Sequence, residues 1–229
     1  RINGTKIWTT DAHRNHYIIC LVRTEAPSEN RHAGFSQIIV DLKNDGAKVR
    51  PISNMAGGED FNEVVFEDVL VPKDRIVGEP GNGWQQVTSE LAFERSGPER
   101  FLSAFRVFVE MVRICGDQPS PHQAAAIGRL ASHFMTLRRM SISVAGMLEQ
   151  GKDVGVEAAL VKELGNNFEK VLPEVARLVV PDLSQLDPAK HKLFRDTFEE
   201  TLLLSPSFTL RGGTREILRG VIARGLGLR

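Results

Sequence analysis

The amino-acid sequence predicts an α+β, multi-domain chain in which a segment of antiparallel β-barrel or sandwich is followed by an all-α, up-and-down helical bundle. Two observations support this prediction. Short runs of β-branched residues, bounded by Gly, Pro and Asn, occupy residues 1–80, whereas apolar side chains spaced by three and four positions occupy residues 81–229. With 229 residues, of which 41% are hydrophobic, the chain is long enough to bury a large core.

The first part is expected to contain five or six antiparallel strands. The clearest runs are residues 18–22, 36–40 and 63–66, whose β-branched side chains suit a pleated surface. The intervals between them carry turn residues, as at 44–46 and 56–58. Because no helix-length pattern separates the runs, a parallel β-α-β arrangement is disfavoured.

The second part is expected to consist of helices. After residues 79–83 the apolar spacing becomes that of one helix face, and it continues from Trp84 to Val112. Pro121 suits the first turn of a second helix, and Asp187-Pro188 is predicted to open a fourth helix after a loop at 181–188. The second, third and last helices are predicted over residues 121–151, 156–180 and 214–226.

Composition limits the classes of partner. Lys plus Arg and Asp plus Glu both number 29, so there is no overall basic field to hold a nucleic acid or an anionic membrane. Cys20 and Cys115 lie far apart without nearby ligand spacing, which indicates neither a disulfide framework nor a zinc site and favours a reducing cytoplasm. No apolar run approaches the roughly 20 residues of a membrane span. The chain opens at Arg1 within a turn, as a piece of a longer protein does.

Several common enzyme motifs are missing. The sequence has no Gly-x-Gly-x-x-Gly after a strand, no phosphate-binding Gly-Lys-Ser and no Gly-x-Ser-x-Gly elbow. These absences disfavour Rossmann dehydrogenases, P-loop enzymes and α/β hydrolases. His13 and His16 lie beside Asp11, but in a turn they are more typical of a polar loop than of a metal site, and no metal is expected.

Three segments carry candidate chemistry. Residues 6–10 place Trp8 at a strand end, where an indole can cover an aromatic ring, although strand tryptophans usually belong to a core. Residues 91–95 place Glu94 inside an apolar helical run, as a carboxylate of raised pKa or as an ion-pair partner of Arg95 or another cation. Residues 210–217 form a Gly-Gly turn before a helix, which can bind an anion or carbonyl oxygen or simply cap the helix.

Five segments follow one another in a specific order. They are residues 2–10 (INGTKIWTT), 61–72 (FNEVVFEDVLVP), 77–84 (VGEPGNGW), 93–95 (FER) and 212–219 (GGTREILR). Together they resemble the acyl-CoA dehydrogenase family. The resemblance spans the whole chain but only the later part of the family pattern: the remainder of the middle β-domain at 1–80 and the C-terminal helical domain at 81–229. The N-terminal helical domain of the family is expected to be absent.

This resemblance implies a cofactor, a reaction and partners. Trp8 and Thr10 match positions that contact the flavin ring of FAD, and Thr214 and Glu216 match positions beside its adenosine diphosphate part. The implied reaction is α,β-dehydrogenation of an acyl-CoA thioester, in which a carboxylate removes the α-proton and the β-hydrogen leaves as hydride to flavin N5. An electron-transfer flavoprotein then reoxidises the flavin. The implied location is the bacterial cytoplasm, or the mitochondrial matrix in a eukaryote.

The chain departs from the commonest family pattern at Gly212. Most members carry the catalytic Glu there, and the resemblance to isovaleryl-type and steroid-side-chain enzymes instead places the base at Glu94 on the first C-terminal helix. Gly212 keeps the backbone N–H that helps to bind the thioester oxygen. Leu91, Arg95 and Gly213 are the expected substrate-binding residues.

Two family segments that reach FAD in a neighbouring subunit are not recognisable, around residues 115–121 and 178–186. The chain is therefore expected in a tetramer, either with a related second subunit or with copies of itself. Two alternatives remain open. One is a non-catalytic structural subunit in which Glu94 only pairs with a cation. The other is a DNA-associated relative that uses a patch of four arginines, Arg211, Arg215, Arg219 and Arg224.

Overall fold

The computed structural model describes residues 1–180 and 183–228. Two compact units make up the chain, Arg1–Glu90 and Leu91–Arg229. The division falls inside the first helix, ten residues after the composition change at residue 80. Within the described residues, the strands lie in the first unit and five complete α-helices lie in the second.

The first unit contains antiparallel strands in two three-stranded sheets, ordered β1-β5-β4 and β2-β3-β6. This confirms the prediction of five or six antiparallel strands. The runs at 18–22, 36–40 and 63–66 lie within β2, β3 and β5. The strands are β1 (Ile2–Thr10), β2 (Tyr17–Arg23), β3 (Phe35–Asp41), β4 (Ala47–Ile52), β5 (Phe61–Val69) and β6 (Ile76–Val77).

One hydrophobic core joins the two sheets. Cys20 and Val40 from one sheet and Val64 and Phe66 from the other belong to the same buried cluster. Along β5 the buried residues alternate with partly exposed ones, as expected for a sheet that covers a core on one face. Among the described residues the strands form two sheets that do not close into a ring, which agrees with the predicted segment of an antiparallel barrel or sandwich.

The helices begin and end near the predicted residues in most cases. Ser120 caps α3 through a reciprocal pair of hydrogen bonds with Gln123, which explains the start at Pro121. Thr214 is the N-cap of α6, and Val180 follows the last residue of α4. The helices are α1 (Gly83–Ser96), α2 (Phe105–Cys115), α3 (Pro121–Glu149), α4 (Gly155–Val179), α5 (Lys192–Leu204) and α6 (Arg215–Gly225).

Two predictions about helices were wrong. The helical spacing from Trp84 to Val112 belongs to two helices, because Gly97 before Pro98 is extended and a 3₁₀ turn at Pro98–Arg100 separates α1 from α2. The fourth helix begins at Lys192 and not at Asp187-Pro188. The Asp187 carboxylate accepts hydrogen bonds from the Ala189 and Lys190 amides, which stabilises a turn there instead of a helix. Residues 181 and 182 of the predicted loop lie outside the described residues.

Helix α4 lies at the centre of the second unit. It packs against α2, α3, α5 and α6, and its side chains Phe168 and Leu172 are buried in the main core with Leu137 of α3. Three polar side chains on α4 are buried as well, namely Lys162, Asn166 and Glu169. Buried polar groups are retained only where they find partners, so these three mark a polar region within an apolar bundle. No helix in the described ranges is long and apolar enough to cross a membrane.

Candidate active site

The Gly-Gly turn before α6 has a backbone conformation that favours glycine. Gly212 has φ +67° and Gly213 has φ +105°, both in the left-handed region where a Cβ atom is unfavourable. Thr214 then enters α6 as its N-cap, and its carbonyl accepts the Leu218 amide at 3.0 Å. The turn therefore presents bare backbone at Gly212 and Gly213.

Glu94 lies directly beside this turn. A Cβ atom placed on Gly212 is 3.3 Å from Glu94 Oε1, although the two residues are far apart in sequence. The Glu94 side chain is 38% exposed, and its Oε1 accepts a hydrogen bond from Arg100 Nη2 at 2.5 Å. Arg100 Nε also donates to the Glu94 carbonyl at 3.0 Å. Glu94 Oε2 accepts no hydrogen bond from the residues that the structure describes, so one carboxylate oxygen is held and the other is open.

Arg95 supports the turn from the same helix. Its Nε donates to the Gly212 carbonyl at 3.0 Å, and its Nη2 is 3.4 Å from the Cβ position of Gly213. Burial lowers the pKa of this guanidinium, and the neighbouring Glu94 carboxylate opposes the shift. Of the expected substrate-binding residues, Arg95 and Gly213 are thus part of the turn, and Leu91 lies half-buried one helical turn before Glu94 and Arg95.

Sequence reasoning missed Lys162, which also contacts the turn. Lys162 is buried, and its Cε is 3.3 Å from the Cβ position of Gly212. Its Nζ donates to Asn166 Oδ1 and, at 3.1 Å, to the Phe208 carbonyl. The signal was present in the sequence, because Lys162 occupies the position one turn after Ala158 on the apolar face of α4.

A second buried pair lies near Lys162. Glu169 is completely buried, and it accepts hydrogen bonds from Arg211 Nη2 at 2.8 Å and from the Ser103 amide at 2.8 Å. The Arg211 guanidinium also lies over the Phe208 ring, 4.6 Å from its centroid. Arg211 directly precedes Gly212, so this pair ties the Gly-Gly turn to α4.

Most arginines of the patch considered for DNA binding form ion pairs with carboxylates of α4. Arg211 pairs with Glu169, and both Arg215 and Arg219 pair with Glu163 of α4 at 2.9 Å. Burial alone would raise the pKa of Glu163, but hydrogen bonds from the two arginines lower it. Three of the four positive charges are therefore opposed by carboxylates, which argues against a cationic nucleic-acid surface on α6.

The flavin-contact candidates of the first unit lie at an irregularity of β1. Pairing with β5 shifts register between Lys6 and Thr9, and Trp8 within this shift has φ +61°. The Trp8 side chain is 62% exposed, with only an edge contact to Phe61 at 6.1 Å, and Thr10 is also exposed. Trp8 is thus not a core residue, and its indole face is open.

A buried asparagine fixes this irregularity. Asn62 of β5 is completely buried, and its Nδ2 donates to the Thr9 carbonyl at 2.9 Å. Its Oδ1 lies 2.9 Å from His13 Nδ1, so His13 of the polar loop is hydrogen-bonded to Asn62. Within the described ranges, no three His, Cys, Asp or Glu side chains are grouped so that they could hold a metal ion. Cys20 and Cys115 are both free thiols.

Thr214 and Glu216 lie at the start of α6. Thr214 is partly buried and Glu216 is exposed. The pKa of Glu216 is lowered by its backbone hydrogen bond at the helix start and by the Thr214 hydroxyl. These two residues and the Gly-Gly turn belong to the second unit, whereas Trp8 and Thr10 belong to the first.

Comparison with known proteins supports the resemblance to acyl-CoA dehydrogenases. Residues 1–69 match the family model for the middle domain of acyl-CoA dehydrogenases. The acyl-CoA dehydrogenase IpdE1 of Mycobacterium tuberculosis is 33% identical over 99% of this chain and 59% of its own length. Among solved structures, a variant of the Tcur3481-Tcur3483 steroid ACAD has a TM-score of 0.85 at 24% identity, covering 99% of this chain and 61% of that one. The ChsE4-ChsE5 complex of Mycobacterium tuberculosis has a TM-score of 0.80 at 24% identity, covering 99% and 61%.

The chain therefore spans about three fifths of the relatives that it matches. The match at residues 1–69 agrees with the β-rich unit, and the structural matches extend the likeness through the helices. The predicted resemblance is confirmed: residues 1–69 match the middle domain of acyl-CoA dehydrogenases, and nearly the whole chain is similar to proteins of that family.

Proposed function

We propose that the protein containing this chain catalyses FAD-dependent α,β-dehydrogenation of an acyl-CoA thioester, with Glu94 as the base. One observation carries this proposal. Glu94 Oε1 lies 3.3 Å from the Cβ position of Gly212, the residue at which most family members carry their catalytic carboxylate. A carboxylate from α1 thus stands next to the place where a carboxylate from the turn is usual, and Gly212 leaves the space for it.

The proposed chemistry assigns each atom a destination. The α-carbon C–H bond breaks and its proton passes to Glu94, whose Oε2 is open while Arg100 holds Oε1. The β-carbon C–H bond breaks with its electron pair, and a double bond forms between the two carbons. When bound, FAD supplies the oxidant that accepts this hydride. The hydrogen bond from Arg100 fixes the direction of the Glu94 side chain.

The Gly212 turn binds the thioester. Its backbone N–H donates to the carbonyl oxygen, on which negative charge grows as the α-proton leaves. Arg95 donates to the Gly212 carbonyl, which belongs to the next peptide group, and this contact restrains the turn that carries the N–H before substrate arrives. Leu91 supplies an apolar side chain one turn from the base.

The residues present fit FAD. The exposed indole of Trp8 offers a free aromatic face for a flavin ring, at the cost of a left-handed backbone that a strand tryptophan does not otherwise need. Thr10 offers an exposed hydroxyl two residues later. Thr214 and Glu216 offer polar groups at a helix N-terminus for the adenosine diphosphate part.

The partners follow from this reaction. The substrate is an acyl-CoA, and an electron-transfer flavoprotein accepts the electrons from the reduced flavin. The location is the cytoplasm of a bacterium. The assembly is a tetramer of this chain with a related subunit or with itself. The solved relatives Tcur3481-Tcur3483 and ChsE4-ChsE5 are each named as a pair of different chains, which supports the mixed assembly.

The Glu94→Gln variant of the full-length protein tests this proposal. We expect it to retain yellow FAD but to lose flavin bleaching under anaerobic conditions with a steroid side-chain acyl-CoA or isovaleryl-CoA, because an amide cannot accept the α-proton. Glu90→Gln, one turn earlier on the same helix and exposed, is the matched control and should bleach like the wild type. Undiminished bleaching by the Glu94 variant would remove Glu94 from the role of base.

A second candidate function is a structural subunit without catalysis. The 2.5 Å pair between Glu94 and Arg100 favours it, because a carboxylate can be retained for that ion pair alone. This candidate predicts that the protein is purified without flavin, both alone and with every related partner chain. It also predicts that Glu94→Gln lowers stability and changes no reaction.

A further inference from the structure

A buried lysine lies against the Gly212 turn without a role in the reaction described above. Lys162 is completely buried, and its Cε is as close to the Cβ position of Gly212 as Glu94 Oε1 is, at 3.3 Å. Lysine is rarely buried unless it is paired, because removing an ammonium group from water is costly. Replacing it by an apolar residue would be the simpler way to fill this part of the core.

Two hydrogen-bond acceptors surround the Lys162 ammonium group. Two of the three ammonium protons find acceptors among the described residues, the Asn166 amide oxygen and the Phe208 carbonyl. Asn166 is itself completely buried, and its Nδ2 has no hydrogen-bond partner in the described part of the chain. Leaving that N–H unpaired costs free energy. The orientation of the Asn166 side chain therefore satisfies Lys162 and leaves one of its own donors without an acceptor.

Charges face Lys162 from every neighbouring segment. Glu94 of α1 and Glu169 of α4 are negative, whereas Arg100 of the 3₁₀ turn and Arg211 of the Gly-Gly turn are positive. Burial lowers the pKa of Lys162 to about 8, with Arg211 and Arg100 adding to the shift and Glu169 and Glu94 opposing it. At neutral pH the lysine is therefore mostly charged, and it loses its proton as the pH rises through about 8.

We infer that Lys162 is a positioning residue that holds one positive charge against the Gly212 turn and so stabilises the negative charge that forms on the thioester oxygen. Its hydrogen bond to the Phe208 carbonyl fixes the chain four residues before Gly212, and its charge lies in a low-dielectric region where it acts strongly. This inference rests on the proposed function, because it requires the thioester at Gly212.

Enolate formation by a bound β-keto thioester tests the inference without any redox step. Acetoacetyl-CoA loses its α-proton more readily where negative charge on its oxygens is stabilised, and the enolate is followed by its ultraviolet absorbance. In the full-length protein loaded with FAD we expect Lys162→Gln to lower the ratio of bound enolate to bound keto form at pH 7 by about tenfold or more, the effect of one unit charge at several ångströms. Glutamine keeps a donor for the Phe208 carbonyl, and Lys162→Met, which lacks one, should show the same loss.

The matched control is Lys170→Met, which removes an exposed lysine from the same helix and should leave the ratio unchanged. The difference between wild type and Lys162→Gln should shrink above pH 8, because the wild-type lysine then also becomes neutral. A Lys162 variant that binds FAD and equals the wild type, or a difference that persists unchanged at high pH, would overturn the inference. If the wild-type protein itself forms no enolate, the proposed function fails instead.

Discussion

Gly212 holds a backbone conformation that a residue with a side chain adopts only at a cost. With φ +67°, a Cβ atom there would also meet Glu94 and Lys162 at 3.3 Å. We expect Gly212→Ala in the full-length protein to lower the free energy of unfolding by about 1–2 kcal/mol. Gly220→Ala, inside α6 with no atom within 4 Å of its Cβ position, should raise it by about 0.5–1 kcal/mol. Urea unfolding of both variants checks this, and equal effects would contradict it.

Trp8 combines exposure with backbone strain, which is the reverse of a stabilising core residue. We expect Trp8→Ala to change the unfolding free energy of the FAD-free protein by less than about 0.5 kcal/mol. The same change should weaken FAD binding about tenfold, because a stacked aromatic ring contributes roughly 1 kcal/mol beyond the area it covers. Fluorescence titration with FAD measures the affinity, with the exposed Tyr17→Ala as control. Unaltered FAD affinity in the Trp8 variant would exclude a flavin contact.

At the residue scale, the sequence was informative where a local rule applies. The two glycines before a helix indicated an unusual turn, and both have positive φ. The sequence does not decide whether Arg95 or another cation pairs with Glu94. The structure pairs Glu94 with Arg100 because the break at Pro98 turns the chain back, and it directs Arg95 to the Gly212 carbonyl. Such pairings depend on tertiary contacts that no local pattern contains.

Helices α4 and α6 are joined by a carboxylate that two arginines share. Glu163 accepts hydrogen bonds from Arg215 and Arg219, and its side chain is only 12% exposed. Its pKa is lowered in the folded protein, so the stabilisation is complete above the ordinary carboxyl pKa of about 4.5 and is lost as the pH falls through the lower folded value. The α4–α6 contact should therefore weaken in acid.

Glu163→Gln tests this expectation. At pH 7 we expect it to lower the free energy of unfolding by about 1–3 kcal/mol, and the difference from wild type should be smaller at about pH 3, below the ordinary carboxyl pKa. Glu174→Gln removes an exposed pair with Arg177 on the same helix and should change stability by less than about 0.5 kcal/mol. Urea unfolding at the two pH values distinguishes the outcomes. A Glu163 effect that is independent of pH would contradict an ionic role.

At the element scale, the sequence predicts which helices and strands exist better than it predicts the residues at which they begin and end. The runs of β-branched residues became strands, and Pro121 marked the start of α3. The error at Asp187-Pro188 arose because the same residue types that cap helices also stabilise turns, and here the Asp187 carboxylate bonds amides of a turn. The spacing of Lys162 places it on the apolar face of α4, but its contact with the Phe208 carbonyl depends on tertiary structure that the spacing does not contain.

For the whole molecule, the mixed assembly makes a measurable prediction. The full-length protein co-expressed with a related dehydrogenase chain should give native mass spectra of a tetramer containing two different subunits, with FAD retained. Expressed alone it should retain less FAD, because the family segments that reach a neighbouring subunit are not recognisable at 115–121 and 178–186. A homotetramer that retains full FAD without the second chain would contradict the mixed assembly. It would not affect the proposed role of Glu94 as the base.

Exchange of the substrate α-hydrogen with deuterium oxide tests the role of Glu94 most directly. A base that removes the α-proton also returns a deuteron, so mass spectrometry of a steroid side-chain acyl-CoA or isovaleryl-CoA follows the step without electron transfer onward. We expect exchange with the wild-type full-length protein and with Glu90→Gln, and loss of exchange to the uncatalysed rate with Glu94→Gln. Exchange at the wild-type rate in the folded, FAD-containing Glu94→Gln protein would contradict this expectation.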